Sequence, residues 1–240
     1  MTKQTARIYR GALIILITVL LFYSYWSGLT TYMIENMAKL LQLLRQHLLL
    51  VAISMGLASI LGVSIGIILS RPGLKKYQGF VMYIVGLGQT IPSLAVLALT
   101  MSVLGIGMKP AVFALTIYTV LPIARNTLAG LNAVSDDLLD AARGMGLPNW
   151  RILWEVELPN ALTVILTGVR MALVINIGTA ALGALVGAGG LGEQIFTGIS
   201  FLDTKLMLSG AIPTALLALT ADYGVQMLED LLVSEGLKKQ

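Results

Sequence analysis

The sequence predicts an all-α membrane protein with six transmembrane helices, and three observations carry that prediction. Of its 240 residues, 57% are hydrophobic and 12% are charged, about half the charged share of a soluble domain. Mean hydropathy is +0.86. The apolar residues gather in runs of about 20, the length at which a helix crosses a hydrocarbon core of about 30 Å. A soluble chain of this length needs more polar surface, and a disordered one needs far less apolar content.

The runs fall at about 11–29, 48–69, 79–104, 110–128, 161–187 and 206–227. The first follows Lys3, Arg7 and Arg10, as in a secretory signal, but no A-x-A-like cleavage site comes after it. Tyr23, Tyr25 and Trp26 form an interfacial belt, so this run is read as a retained span. Next, Leu40, Leu41, Leu43 and Leu44 are set among Glu35, Lys39 and Arg45, and the segment 29–47 is expected to lie along the outer membrane surface as an amphipathic helix. The third run is interrupted by Gly86, Gly88, Gln89, Thr90, Pro92 and Ser93. Pro92 lacks a backbone donor and should kink the helix, while Gln89 and Ser93, four residues apart, share a face. The fourth run is short, and Arg125 near its end must snorkel. The fifth carries Asn176, Gly178 and Thr179 near mid-depth. For these polar positions two readings stand: lining of a solute pathway, or hydrogen bonding and close packing between helices. Arg170 and Asp222 are ionisable residues within the fifth and sixth runs, each towards the cytoplasmic end, expected to pair or to face water as a structural or gating pair. Gly62-xxx-Gly66 and Gly183-xxx-Gly187 permit tight helix contacts.

An even number of spans puts both termini on one side. Lys3, Arg7, Arg10, Arg71, Lys75, Lys76, Arg125, Arg143, Arg151, Lys238 and Lys239 fall on that side, against Lys39, Arg45, Lys109 and Lys205 on the other. The excess places both termini in the cytoplasm. The same bias accounts for the net charge of +4 without a nucleic-acid partner. No loop is long enough for a soluble domain, so residues 1–240 are read as a single transmembrane domain with its main inner loop at about 129–160.

Catalytic chemistry is poorly served. There is no cysteine, and His47 is the sole histidine, which excludes thiolate nucleophiles and His-His zinc pairs within this chain. No GxxxxGK[ST] is present, so nucleotide phosphates cannot be cradled by that route. The carboxylates Asp136, Asp137, Asp140, Glu155 and Glu157, and Glu229, Asp230 and Glu235, read as solvated loop charge and helix capping. The run Gly187-Ala188-Gly189-Gly190-Leu191-Gly192 satisfies GxGxxG, but it ends a transmembrane helix instead of joining a strand to one. It reads as a tight re-entrant turn or a close backbone approach.

The inner loop is the most informative segment. Ser135 can cap a helix whose first turn holds Asp136 and Asp137, with Gly144 and Gly146 stopping it. Pro148 suits the first turn of a second helix, which Pro159 is expected to close. That second helix puts Trp150, Leu153, Trp154 and Val156 on one apolar side, suited to a protein partner or to membrane lipid.

This loop resembles the EAA motif of permease subunits of ATP-binding-cassette (ABC) importers: Glu-Ala-Ala, three residues, Gly, nine residues, Ile-x-Leu-Pro. Here it reads Asp140-Ala141-Ala142, Gly146 and Val156-Glu157-Leu158-Pro159, with both spacings kept and Asp and Val replacing Glu and Ile. From about residue 47 to 225 the chain further resembles permeases for glycine betaine, choline, carnitine and related quaternary amines. Gln89-Thr90-Ile91-Pro92-Ser93-Leu94, Leu121-Pro122-Ile123-Ala124-Arg125-Asn126-Thr127, Ala142-Arg143-Gly144-Met145-Gly146 and the glycine-rich run carry that likeness. The resemblance implies a MetI-like permease fold in a bacterial inner membrane. It implies docking of ATPase subunits through Asp140, Ala141, Ala142, Gly146, Val156, Leu158 and Pro159. It also implies a second permease subunit, identical or not, and an extracytoplasmic solute-binding protein that selects the solute. ATP and magnesium would sit on the partner ATPase, leaving this chain without a cofactor, a metal or a catalytic residue. Gln89, Thr90, Pro92, Ser93 and Asn176 are the expected lining of the translocation pathway. A permease of the same fold for another solute such as an amino acid is the alternative. An ion-coupled secondary transporter would usually show inverted repeats and a midplane carboxylate, and an intramembrane enzyme would need a catalytic dyad.

Overall fold

A computed structural model describes residues 27–232, and within them every regular element is helical. The order is α1 (Leu29–Glu35), α2 (Met37–Ser70), a 3-10 turn (Pro72–Tyr77), α3 (Gln78–Thr90), α4 (Ser93–Leu104), α5 (Met108–Asn132), α6 (Asp136–Gly144), α7 (Asn149–Ile152), a π segment (Leu153–Glu157), α8 (Leu158–Ala180), a second 3-10 turn (Ala181–Val186), α9 (Gly192–Ser200) and α10 (Thr204–Leu232). Four helical stretches are long and apolar enough to cross a bilayer: Met37–Ser70, Met108–Asn132, Asn149–Val186 and Thr204–Leu231. They recover the second, fourth, fifth and sixth runs. The first run and its aromatic belt lie outside the described residues, apart from positions 27–29.

Two expectations are corrected. The third run is not one continuous helix but two helices bent by 91°. Gln89 and Ser93 therefore lie on different helices and do not share a face. The break has a local cause: Ile91 and Pro92 are both extended, with ψ of 133°, as expected before a proline. The segment 29–47 is not one separate amphipathic helix either, since α1 takes only Leu29–Glu35 of it. From Met37 onward it is continuous with the span, and Leu40, Leu43 and His47 are buried. At 1.5 Å per residue a 34-residue helix is about 51 Å long, so α2 projects well beyond the hydrocarbon core.

Helix α5 is the centre of the bundle: α2, α3, α4 and α8 all pack on it, and α10 lies against α8 and α9. The core runs through Leu50, Met55, Ala58, Leu115, Ile123, Ala172 and Ile177. Small residues set its spacing. A Cβ on Gly62 would stand 2.7 Å from Ile123 Cβ, one on Gly66 2.5 Å from Thr127 Cβ, and one on Gly168 2.5 Å from Asn126 Cβ. The Gly62-xxx-Gly66 pair thus lets α2 approach α5 closely, as small-xxx-small contacts do in membranes.

Candidate functional site

Three polar assemblies stand out against this apolar frame, and the first is the hairpin at one end of the bundle. Ser135 Oγ accepts from the Leu138 amide at 3.4 Å and caps α6, with Asp136 and Asp137 in its first turn. Gly144 remains helical, and Gly146 alone ends the helix with φ of +77°. Gly146 N–H donates to Arg143 O at 2.9 Å and Leu147 N–H to Ala142 O at 3.2 Å, the paired bonds of a left-handed glycine cap.

Pro148 is the N-cap of α7, just before its first turn. Pro159 does not close the following helix. It occupies the first turn of α8, and the chain runs helically from Asn149 to Val186. The π segment explains how. Proline cannot donate to the carbonyl four residues back, and the ladder widens by one residue just before it, with Leu158 N–H reaching Leu153 O. The hairpin and α8 therefore form one helical piece.

The residues expected to dock the ATPase divide by exposure. Asp140, Ala141, Gly146 and Pro159 are exposed, Val156 and Leu158 are half-buried, and Ala142 is buried. Leu158 packs with Leu131, Ala161 and Ile165 at the hairpin base. Ala142 and Leu158 thus root the hairpin, while Asp140 and Ala141 present a surface. Trp150 and Trp154, 65% and 64% exposed, stand out with Met145 and Leu138. The two methionine and leucine positions were not singled out from the sequence. Their signal was the apolar spacing around the glycine cap.

Ion pairs hold the hairpin: Arg143 to Asp140 at 2.8 Å, Arg151 to Glu155 at 2.6 Å, and Arg71 to Glu157 at 2.6 Å. The first two are local and solvated, which limits their worth. Arg71–Glu157 is less exposed and crosses from the end of α2 to the hairpin base, with Arg71 Nη2 also donating to Ser70 Oγ at 2.8 Å.

The second assembly sits at the break between α3 and α4. Pro122, inside α5, has no N–H for the Tyr118 carbonyl, and Gln89 Nε2 donates to that carbonyl at 2.7 Å. Beyond the break, Tyr118 hydroxyl donates to the Ile91 carbonyl, whose helical partner, the Ala95 amide, is bonded to Pro92 instead. Pro122 thus frees one carbonyl and the helix break at Ile91-Pro92 the other, and Gln89 and Tyr118 satisfy them reciprocally. Thr90 and Pro92 are exposed at this break and Ser93 is half-exposed.

The third is a buried polar knot. Ser54 Oγ donates to Asn176 Oδ1 at 3.0 Å, and Asn176 Nδ2 to Thr119 Oγ1 at 3.4 Å. Asn176 is fully enclosed, so within one protomer it ties α2, α5 and α8 and presents no free surface. It is separate from the Gln89–Ser93 break. The glycine-rich run is a tight turn, with positive φ at Gly187, Gly189 and Gly190. It folds over Gln46 and His47: Gly190 N–H donates to Gln46 Oε1 at 3.1 Å, and a Cβ on Gly192 would stand 1.8 Å from Ala181 O. The close-approach reading holds there.

A bundle of membrane-length helices with a broken span at its side and a braced, tryptophan-bearing hairpin at one end defines a membrane permease subunit. The chain belongs to the family described as "Binding-protein-dependent transport system inner membrane component", which matches residues 62–233. Among its relatives, the Osmoprotectant import permease protein OsmY of Salmonella typhimurium is 45% identical over 88% of this chain and 89% of its own length. The Carnitine transport permease protein OpuCB of Listeria monocytogenes is 40% identical over 89% and 97%. The Glycine betaine/carnitine/choline transport system permease protein OpuCB of Bacillus subtilis is 37% identical over 88% and 97%. The fold is similar to a chain of the inward-facing MetNI methionine ABC transporter, with a TM-score of 0.74 at 25% identity over 83% of this chain and 99% of that one. The protein is therefore a multi-pass inner-membrane transport subunit of an ABC importer and not an enzyme. Family membership implies an ATPase, a binding protein and a further permease subunit as partners.

Proposed function

We propose that this chain forms half of the translocation pathway of an ABC importer for a quaternary-ammonium osmolyte of the glycine betaine, carnitine or choline type. The observation that carries the reading is the coincidence of relatives at 37–45% identity, named as osmoprotectant, carnitine or glycine betaine/carnitine/choline permeases, with a capped, tryptophan-bearing hairpin at one end of the bundle. The excess of Lys and Arg on the hairpin's side supports placing that end, and both termini, in the cytoplasm. There the hairpin would meet the ATPase through Asp140, Ala141, Gly146 and Pro159, with Trp150 and Trp154 as apolar anchors and Ala142, Val156 and Leu158 fixing its posture. ATP and magnesium belong to that ATPase, and this chain supplies no cofactor site. A second permease, identical or not, completes the pathway, and an extracytoplasmic binding protein delivers the solute. Gln89, Thr90, Pro92 and Ser93 would line the pathway at the break, with Asn176 supporting the wall from behind through Ser54 and Thr119. The whole chain, residues 1–240, acts as one permease domain.

The test is purification of the tagged chain from native membranes in mild detergent, followed by uptake in vesicles. A stoichiometric co-purifying ATPase, with binding-protein-dependent uptake of betaine, carnitine or choline, is the expected result. Uptake of methionine with none of these amines would reassign the solute. Purification of the chain alone, under conditions that preserve a known importer, would overturn the class.

A further inference from the structure

Arg170 and Asp222 form a bidentate pair between α8 and α10, Nε to Oδ1 and Nη2 to Oδ2, the latter at 2.9 Å. Both side chains remain open to the outside of the protomer, 34% and 29% exposed. They face a groove of about 550 Å³ whose other lining residues are Thr167, Met171, Val174 and Ile175. Arg170 lies about 18 Å along α8 from Leu158 and Asp222 about 27 Å along α10 from Thr204, at 1.5 Å per residue, so the pair sits within the spans towards the hairpin's end. An ion pair at such depth is unfavourable against lipid tails and is found facing protein or water. Thr167, Met171, Val174 and Gly178 extend the same exposed stripe along α8, at spacings of four, three and four residues that keep them on one helical face. By contrast, the groove between α2 and α5 is walled by Ile53, Leu57, Leu61, Phe113 and Ile117 and suits lipid.

We infer that the α8–α10 groove is a wall of the solute pathway and that Arg170–Asp222 is a passage site for a zwitterion. The carboxylate and the ammonium of a betaine or carnitine match the guanidinium and the carboxylate of this pair, so such a solute can exchange with the pair without leaving net charge in the membrane, whereas choline, a cation without a carboxylate, cannot. A quaternary ammonium carries no hydrogen-bond donor. It would be held near Asp222 by charge alone and released readily, with Met171, Val174 and Ile175 receiving its methyl groups.

This inference rests on the permease reading, and the test separates the two. The chain has no cysteine, so an introduced cysteine is its single thiol and is read on this chain after it is separated from its partners. In the assembled importer with its ATPase and binding protein, Thr167→Cys and Val174→Cys should react with a membrane-impermeant thiol reagent, and betaine-loaded binding protein with ATP should slow that reaction at least threefold. Ile60→Cys, on the apolar α2 face, should not react. Arg170→Gln combined with Asp222→Asn keeps the pair uncharged and hydrogen-bondable, and should assemble while cutting betaine uptake at least tenfold. If the wild-type importer transports but the groove cysteines are as inert as Ile60→Cys, the groove is not the pathway. If the neutral pair transports like wild type, the charges are structural. If the wild type carries no quaternary amine, it is the solute assignment under the proposed function that fails, and the passage site falls with it.

Discussion

At the residue scale, Gly146 is the sharpest point of the hairpin. A Cβ there would meet nothing within 4 Å, yet its φ is +77°, so the constraint is conformational and not steric crowding. An L side chain in that region costs about 1–2 kcal/mol, and asparagine tolerates it better than most. Gly146→Asp should leave the protein inserted but abolish transport, whereas Gly146→Asn should retain a large part of it. Equal transport by the aspartate variant and wild type, measured in vesicles with matched protein amounts, would remove the hairpin from the docking role. Gly66 is the opposite case. Its helix is relaxed, but an added Cβ lands 2.5 Å from Thr127 Cβ and 3.0 Å from the Leu128 amide nitrogen. The backbone atom cannot swing away, so Gly66→Ala should destabilise by about 1–3 kcal/mol, the range for overpacking. Gly56→Ala, with open space around it, should not. Thermal unfolding in detergent distinguishes the two. Sequence spacing identified both glycines, since Gly146 sits within a motif and Gly62 and Gly66 within a small-xxx-small pair. Asn176 was legible only as a polar residue at depth, because nothing local to it reveals that Ser54 and Thr119, on two other helices, enclose it.

At the element scale, the four long spans were readable from hydropathy because each is a continuous run, while the bend of the third was only half legible. Pro92 announces a kink, but nothing local announces the clasp across the 91° bend, in which Tyr118 and Gln89 bind the freed carbonyls across 27 and 29 residues of sequence. Pro159 misled for a related reason. A proline ends a helix unless the ladder widens before it, and the π segment at Leu153–Glu157 does so. The α2 extension was missed because Glu35, Lys39 and Arg45 resemble a surface pattern, whereas Leu40 and Leu43 are in fact covered. The clasp yields its own prediction. Tyr118→Phe removes the donor to Ile91, and a lost hydrogen bond of about 1 kcal/mol corresponds to roughly fivefold faster opening. Hydrogen exchange at Ile91 and Ser93 should accelerate by about that factor, with exchange in α10 unchanged. Unchanged exchange at the break would mean that proline geometry alone sets the bend.

At the scale of the whole molecule, the decisive feature is continuity. The hairpin's second helix, the π segment and α8 form one stretch from Asn149 to Val186, so a displacement imposed on Trp150 and Trp154 has no hinge loop in which to dissipate before it reaches Arg170. A lever also needs a fulcrum, and Arg71–Glu157 is placed to be one, binding the hairpin base to the end of α2 at 2.6 Å. Glu157 lies in the π segment itself, where the helical ladder widens, so the pair ties down the one irregular point between the tryptophans and Arg170. Glu157→Gln should therefore leave the complex assembled and ATP hydrolysis stimulated by the binding protein, while the solute imported per ATP falls at least threefold. Arg71→Ala should do the same, and the double variant should be no worse than either single one, because both remove a single contact. A pair serving only stability would lower the yield and thermal midpoint of the complex and leave that ratio unchanged. The ratio of transport to hydrolysis, with the midpoint measured alongside, thus decides whether the tie transmits force or merely holds the chain together.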